Sequence, residues 1–206
     1  MRQLQKDGFT VIHELVGPRS LRELRDLYDE AFETALPSDL KQGSTSIRLG
    51  GFAERGSPFD AIYSSPTLIS ITAEVIGRAF KLSSFHGRTV RPRVPAQRLH
   101  QDIVAAGEDE WPMVGFIFMI DDFRTDNGAT RFLPGSQSFK DGQLRDGQRL
   151  VSAQGKAGSL IIFNGSVWHG HGPNDTLSPR RSLQGAFIRS DQKSAGDFSY
   201  LGMKWR

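Results

Sequence analysis

The chain contains no cysteine among its 206 residues. That excludes disulfides, thiolate-bound zinc, iron–sulfur clusters and a cysteine nucleophile, so any metal must be held by nitrogen and oxygen. Histidine is scarce too: His13, His86, His100, His169 and His171 are the whole supply of imidazole nitrogen. Neither sign of charge dominates, because 26 basic residues face 23 acidic ones for a net charge of +3. With no long Lys/Arg run, this balance argues against nucleic-acid binding. No apolar run approaches the roughly 18 residues of a membrane span. The opening MRQLQKDGFTVIHELV interleaves charges with apolar residues and lacks a signal peptide's apolar stretch. A cytoplasmic location without a membrane partner is expected. The 37% hydrophobic and 24% charged content is that of an ordinary globular protein, and the length suits one domain with a full core.

Asp7-Gly8 signals a turn before a short strand, Phe9 to Ile12. Ser20, with Glu23 three positions on, has the form of a capping box; Leu21, Leu24, Tyr28, Ala31, Phe32 and Ala35 then recur at helical spacing as far as Pro37. Ser65-Pro66 opens a second helix that runs through Leu68, Ile69, Thr72, Val75 and Ile76 to Gly77. Between the two, residues 38–58 are rich in glycine and serine and read as loops. From about residue 80 the texture changes. Apolar or alternating runs at 81–91, 97–104, 113–121, 129–133, 149–153, 158–163, 166–170 and 181–189 are broken by Gly, Pro, Asn and Asp. Such spacing predicts an antiparallel sandwich or barrel rather than βαβ units. The expected fold is mainly β: a single domain with a helical support region at 1–80, a jelly-roll core at 81–190 and a tail at 191–206. Phe198, Tyr200 and Trp205 in that tail suit packing on the body or an oligomer contact, and either a monomer or a homodimer is compatible with the sequence.

His100-Gln101-Asp102 lies in the run predicted as a strand over 97–104. Residues two apart on a strand share a face, so His100 and Asp102 would project together. A His-x-Asp tripeptide arises often by chance, and alone it says little. A second element sharpens it: 67 positions beyond Asp102 comes His169, set among glycines in Gly165-Ser166-Val167-Trp168-His169-Gly170-His171-Gly172-Pro173-Asn174. Two imidazoles and one carboxylate hold a mononuclear non-haem Fe(II) on one face and leave the opposite positions open. His169 and His171 compete for the distal place. Four protein ligands would leave too few positions for a chelating co-substrate and O2, so one of the two should stand outside the coordination sphere. Arg180 and Arg181 follow, and an arginine there could anchor a carboxylate with two prongs. His13 and His86 read as surface or packing residues.

These residues resemble the phytanoyl-CoA dioxygenase family of Fe(II)/2-oxoglutarate oxygenases. The opening Asp7-Gly8-Phe9-Thr10-Val11-Ile12 before a helix, Leu99-His100-Gln101-Asp102, and Trp168 to Asn174 followed by Arg180 are each similar to the family's motifs. The most specific stretch is Asp121-Asp122-Phe123-Arg124-Thr125-Asp126-Asn127-Gly128-Ala129-Thr130-Arg131-Phe132-Leu133-Pro134-Gly135-Ser136. The resemblance implies a double-stranded β-helix, Fe(II) held by His100, Asp102 and His169, and 2-oxoglutarate on the metal with its distal carboxylate at Arg180. It also implies consumption of O2 and release of succinate and CO2 as an unactivated C–H of a small organic substrate is hydroxylated, in specialised or other small-molecule metabolism. Desaturation, ring formation or demethylation can follow from the same chemistry. Gln137 departs from the histidine that usually closes the central motif. His171 stands where the family often has a small hydroxyl residue near the co-substrate carboxylate, and it could take over that contact. Because Asp102 is present, oxygenation is favoured over halogenation. A non-redox cupin-type metal enzyme and a binding protein with a vestigial site are the alternatives.

Substrate features are thin. Arg88, Arg91, Arg93 and Arg98 suit an anionic substrate or, in the favoured view, a solvated basic strand edge. Trp111 and Trp168 are candidate pocket residues, and the 38–58 segment with Arg48 and Phe52 is a candidate lid.

Overall fold

Short alternating runs that cannot bury an apolar face alone pair here into two facing antiparallel sheets. The computed structural model describes residues 1–104, 111–139 and 147–193, together with the backbone of Lys204–Trp205. Phe198 and Tyr200 of the aromatic tail lie outside the described residues, as does the side chain of Trp205. The first strands are β1 (Phe9–Ile12), β2 (Leu40–Gln42), β3 (Ser46–Leu49), β4 (Phe80–Val90) and β5 (Met113–Met119). After them come β6 (Thr130–Phe132), β7 (Val151–Ser152), β8 (Leu160–Asn164), β9 (His169–His171), β10 (Arg180–Arg189) and β11 (Lys204–Trp205). The larger sheet runs β1-β8-β5-β10-β4-β3-β2, with β11 beside β4; the smaller runs β7-β6-β9. Every pairing is antiparallel.

Among the described residues there are four α-helices, α1 (Arg2–Asp7), α2 (Pro18–Glu33), α3 (Ser57–Tyr63) and α4 (Pro66–Ile76). Helix α4 starts as its sequence predicts: the Ser65 side chain accepts from the Leu68 amide, and Gly77 closes the helix in the left-handed conformation. Helix α2 begins earlier than its capping-box pattern suggests. Gly17 is its N-cap and Pro18, with φ already set for a helix, occupies the first turn, leaving Ser20 inside rather than capping.

Alternation along β4 and β10 divides two cores. Leu24, Tyr28, Phe52, Phe59 and Leu68 pack from the helical side against Phe85, Leu183 and Phe187 of the larger sheet. A second cluster, including Phe9, Ile117, Phe132, Ile161 and Phe163, fills the space where the sheets face each other, and the Phe9 and Phe132 rings stack at 4.3 Å. The N-terminal 80 residues therefore do more than support, since β1, β2 and β3 belong to the larger sheet. The expected loop at 38–58 contains β2 and β3, and Phe52 is wholly buried rather than part of a mobile lid.

The expected strand at 97–104 does not form. Pro92 and Pro95 withhold ladder donors, and Arg93 turns the chain with φ 54°. The segment crosses as a strap held by two isolated bridges, Val94 to Asn174 and His100 to His169. At the other end, Gly8 adopts φ 78°, and a β-carbon there would strike Gln137. The Gln137 amide donates to the carbonyls of Gln5 (3.1 Å) and Lys6 (3.3 Å), so this departure from the family pattern holds the first helix in place.

Candidate metal centre

Between the sheets lies a cavity of about 310 Å³, walled by β4, β5, β8 and β10 on one side and by β6 and β9 on the other. His100, Asp102 and His169 meet at its edge, each offering a ligand atom, and these three atoms lie within 4.8 Å of one another. The Asp102 carboxylate is 3.5 Å from His100 Nε2 and 3.7 Å from His169 Nε2. His100 and Asp102 do share a face, but a strand is not the reason. The bridge between His100 and His169, with both backbone bonds at 2.9 Å, fixes one residue; the Asp102 amide donating to the Gly165 carbonyl at 2.9 Å fixes the other. Gly170 allows that close crossing, because a β-carbon there would lie 3.2 Å from the Arg98 carbonyl and 3.3 Å from that of Gln97.

The protonation pattern suits a cation. His169 Nδ1 lies 2.9 Å from the Val167 carbonyl, and His100 Nδ1 lies 3.3 Å from that of Arg98. A carbonyl only accepts, so each Nδ1 carries a hydrogen and each Nε2 is the ring nitrogen that faces Asp102. Burial holds the His169 imidazole below its ordinary pKa, with Asp102 opposing and His100 reinforcing the shift. Burial raises the Asp102 pKa, but the His100 hydrogen bond and the nearby His169, His100 and Arg48 more than offset it, keeping the carboxyl ionised. Two imidazoles and a carboxylate form a donor set that fits a divalent first-row metal.

Arg180 points inward from β10 and is 1% exposed. Its Nη1 donates to Ser182 Oγ at 3.0 Å, its Nη2 to the Gly128 carbonyl at 2.8 Å, and its guanidinium lies 4.0 Å over the Phe123 ring. No carboxylate pairs with it among the described residues, and its buried Nε has no partner. Burial lowers its pKa to about 10, which leaves it charged near neutrality. Such an unmatched cation fits a carboxylate-bearing co-substrate. Arg181 faces the opposite way. It clasps Asp121 through Nε (3.0 Å) and Nη2 (2.7 Å) and Asp29 of α2 through Nη1 (2.5 Å), fastening helix to sheet.

The central motif builds these positions. Asp121 holds Arg181, Gly128 supplies the carbonyl for Arg180, and Asn127 closes the turn between them by bonding the Arg124 amide and the Asp122 carbonyl. His171 lies in the cavity wall, but both ring nitrogens are engaged, Nε2 with Thr45 Oγ1 at 2.8 Å and Nδ1 with the Gly172 carbonyl at 2.7 Å. It is held in the cavity wall by these two bonds. Burial lowers its pKa to about 4.

Of the other residues singled out from sequence, Arg48 and Arg88 line the cavity. Arg98 and Trp111 do not: Arg98 is exposed on the strap, and Trp111 packs against the helical core. Trp168 is half-buried and also lies outside the cavity wall. Arg91 bonds the carbonyls of Gly43 and Ser44 at the surface. His86, expected as a packing residue, faces the cavity from β4, and its burial, reinforced by Arg48 and Arg88, draws its pKa to about 3. The alternation of β4 carries the missed signal, since Ser84, His86 and Arg88 share the inward face.

Dioxygenase ALT11 of Alternaria alternata is 27% identical over 199 residues, which is 85% of this chain and 66% of that protein. Dioxygenase sphC of Aspergillus fumigatus is 34% identical over 103 residues, 47% of this chain and 28% of that protein. The chain thus covers less than two thirds of the length of these curated relatives. Among solved structures, the epimerase SnoN in complex with Fe3+, alpha ketoglutarate and nogalamycin RO superposes with a TM-score of 0.78 at 13% identity, covering 98% of this chain and 91% of that one. The alpha ketoglutarate dependent carbocyclase SnoK gives 0.77 at 15% identity, with 92% and 83% covered. At such identities the likeness establishes the jelly-roll fold. The sequence model of the phytanoyl-CoA dioxygenase (PhyH) family matches residues 4–182, from the first helix through the inward-facing Arg180, and the chain belongs to that family.

Proposed function

We propose that this protein is an Fe(II)- and 2-oxoglutarate-dependent dioxygenase that hydroxylates an unactivated C–H bond of a small organic substrate. The observation that carries this reading is the convergence of one ligand atom each from His100, Asp102 and His169 within 4.8 Å at the edge of the cavity between the sheets. His100, Asp102 and His169 would hold the metal. When bound, Fe(II) with 2-oxoglutarate and O2 supplies the oxidising power to cleave a strong C–H bond, releasing succinate and CO2.

The chain's own residues position and shield. The Nδ1–H bonds to Val167 and Arg98 fix both imidazole planes, so the ligand atoms need little rearrangement. Arg180, through its unpartnered Nε edge, would anchor the distal carboxylate of 2-oxoglutarate. Phe116, Ile117 and Phe163 wall the chamber with apolar surface and exclude water beside the metal ligands. A second reading keeps the same site and co-substrate but ends in ring closure or epimerisation. It is favoured by the kinship in fold to a carbocyclase and an epimerase.

Anaerobic titration with Fe(II) and then 2-oxoglutarate tests the proposal. Wild type should develop the visible metal-to-ligand charge-transfer band, and His169→Ala should not. Iron binding without the band would move the protein to non-redox metal chemistry. Once a substrate is found by succinate release, 18O2 labelling of the product separates hydroxylation from ring closure and epimerisation, which leave no label.

A further inference from the structure

The strap and β9 reach the metal centre from different parts of the chain, yet both are held by one turn, residues 164–167, that continues β8. The Gly165 carbonyl accepts from the amides of Asp102 (2.9 Å) and Ile103 (3.2 Å), and the Val167 carbonyl lies 2.9 Å from His169 Nδ1. Between them, the Ser166 carbonyl accepts from the Gln101 side chain at 2.5 Å. A run of three carbonyls thus grips residues 101–103 and the His169 ring. A carbonyl cannot be aimed by itself. It belongs to a planar peptide unit whose N–H points the opposite way, so holding the N–H fixes the direction of the C=O.

In two of these units a buried side chain does the holding. The Ser166 amide, in the same plane as the Gly165 carbonyl, donates to Asn164 Oδ1 at 2.8 Å. This Asx turn is laid over the backbone bond from the Val167 amide to the Asn164 carbonyl at 3.0 Å. The Trp168 amide, in the same plane as the Val167 carbonyl, donates to Ser136 Oγ at 2.9 Å. Asn164 and Ser136 are 2% and 0% exposed, and neither lines the cavity. Polar atoms buried so deeply are costly unless bonded, and here each bonds a peptide unit that faces a metal ligand. The turn itself is anchored to its surroundings by the Asn164 amide on the Gly8 carbonyl (2.8 Å) and the Gly165 amide on that of Met113 (3.0 Å). We propose that Asn164 and Ser136 are positioning residues of the metal centre: Asn164 sets Asp102, and Ser136 sets the ring of His169, each through one peptide plane. This assignment rests on the reading of the triad as a metal site and not on the reaction that follows.

The test uses Co(II) alone as the probe, because its visible spectrum reports coordination without co-substrate or oxygen. Chelator competition gives its affinity for wild type, Asn164→Ala, Ser136→Ala and Asn164→Asp, and chemical denaturation establishes that each apoprotein unfolds cooperatively. Each alanine variant should lose about 10- to 100-fold in Co(II) affinity, with a changed visible spectrum. Asn164→Asp retains the acceptor for the Ser166 amide and should stay within about threefold of wild type. Ser136→Ala removes a single oxygen and keeps the test intact if loss of Asn164 impairs folding. A folded alanine variant within about twofold of wild type would overturn the assignment of that residue, whatever its stability. So would an Asn164→Asp variant as weak as Asn164→Ala. Failure of wild type to bind Co(II) would instead overturn the reading of the triad as a metal site.

Discussion

Replacing Arg180 by Met separates what this residue does for binding from what it does for stability. The variant loses hydrogen bonds to Ser182 and the Gly128 carbonyl, about 1 kcal/mol each. It also loses the stacking on Phe123, about 1–2 kcal/mol for a desolvated pair. Against this, a guanidinium that is 1% exposed and paired with no carboxylate among the described residues leaves the interior. Relief of that desolvation is of order several kcal/mol, and Met fills much of the space. The terms oppose one another, and the apoprotein should change in stability by less than about 2 kcal/mol. Co-substrate binding has no such compensation. Losing a charge-assisted anchor costs about 2–5 kcal/mol, a roughly 30- to 5,000-fold rise in half-saturation. Denaturant unfolding of the apoprotein and anaerobic 2-oxoglutarate titration measure the two quantities. Arg180→Lys should fall between, because an ammonium is a single point of charge. A well-folded Arg180→Met with unchanged half-saturation would refute the assignment, and a stability loss above about 4 kcal/mol would show that the cation belongs to the fold itself.

Three further outcomes follow from local geometry. Gly170→Val should push the strap away from β9, since even a β-carbon lies 3.2 Å from the Arg98 carbonyl; Fe(II) affinity, measured by chelator competition, should fall about 10- to 100-fold, and an unchanged affinity would show that the ligands do not depend on this crossing. Arg181→Gln should lower stability by about 1–3 kcal/mol in chemical denaturation because it unties Asp29 and Asp121, and a loss under about 0.5 kcal/mol would contradict the clasp. Asp122 accepts from the Ala157 amide and Lys156 Nζ, both at 2.9 Å, and these bonds lower its pKa. A carboxylate depressed in the folded state stabilises fully above its unfolded pKa of about 4 and loses that contribution as pH falls through the folded value. Asp122→Asn should therefore cost up to about 1 kcal/mol at neutral pH, discounted for partial exposure, and the difference from wild type should vanish toward pH 2; a pH-independent difference would remove the carboxylate from the account.

Elements whose signals are local were legible in the chain. The strand Phe9–Ile12 follows its Asp7-Gly8 turn, and α4 carries its own cap and stop. Strands β2 and β3 were not legible, because Lys41, Gln42 and Arg48 give no apolar alternation and the pairing with β4 is made at long range. The strap fails as a strand for a reason visible beforehand, the two prolines before Gln97. Arg98 and Trp111 were tied to the site by nearness in sequence to His100, which says nothing of direction once the segment is irregular. Arg88 and His86 show the converse. On an unbroken strand their direction follows from parity, and the inward face of β4 was there to be counted.

Charge accounting joins the buried arginines of the chamber region into one picture. The described wall of the chamber carries Arg48 and Arg88, Arg180 lies buried on the inward face of β10, and the single carboxylate among them is Asp102. A divalent cation and a dicarboxylate dianion cancel each other, so loading both leaves the protein's own imbalance untouched. That imbalance is two positive charges, from three guanidinium groups against one carboxylate. In a low-dielectric chamber such an excess is costly and long-ranged. The excess also bears on the metal ligand itself: Arg48 is among the groups that hold the Asp102 carboxyl below its ordinary pKa, so the one carboxylate in the described wall stays ionised for a cation.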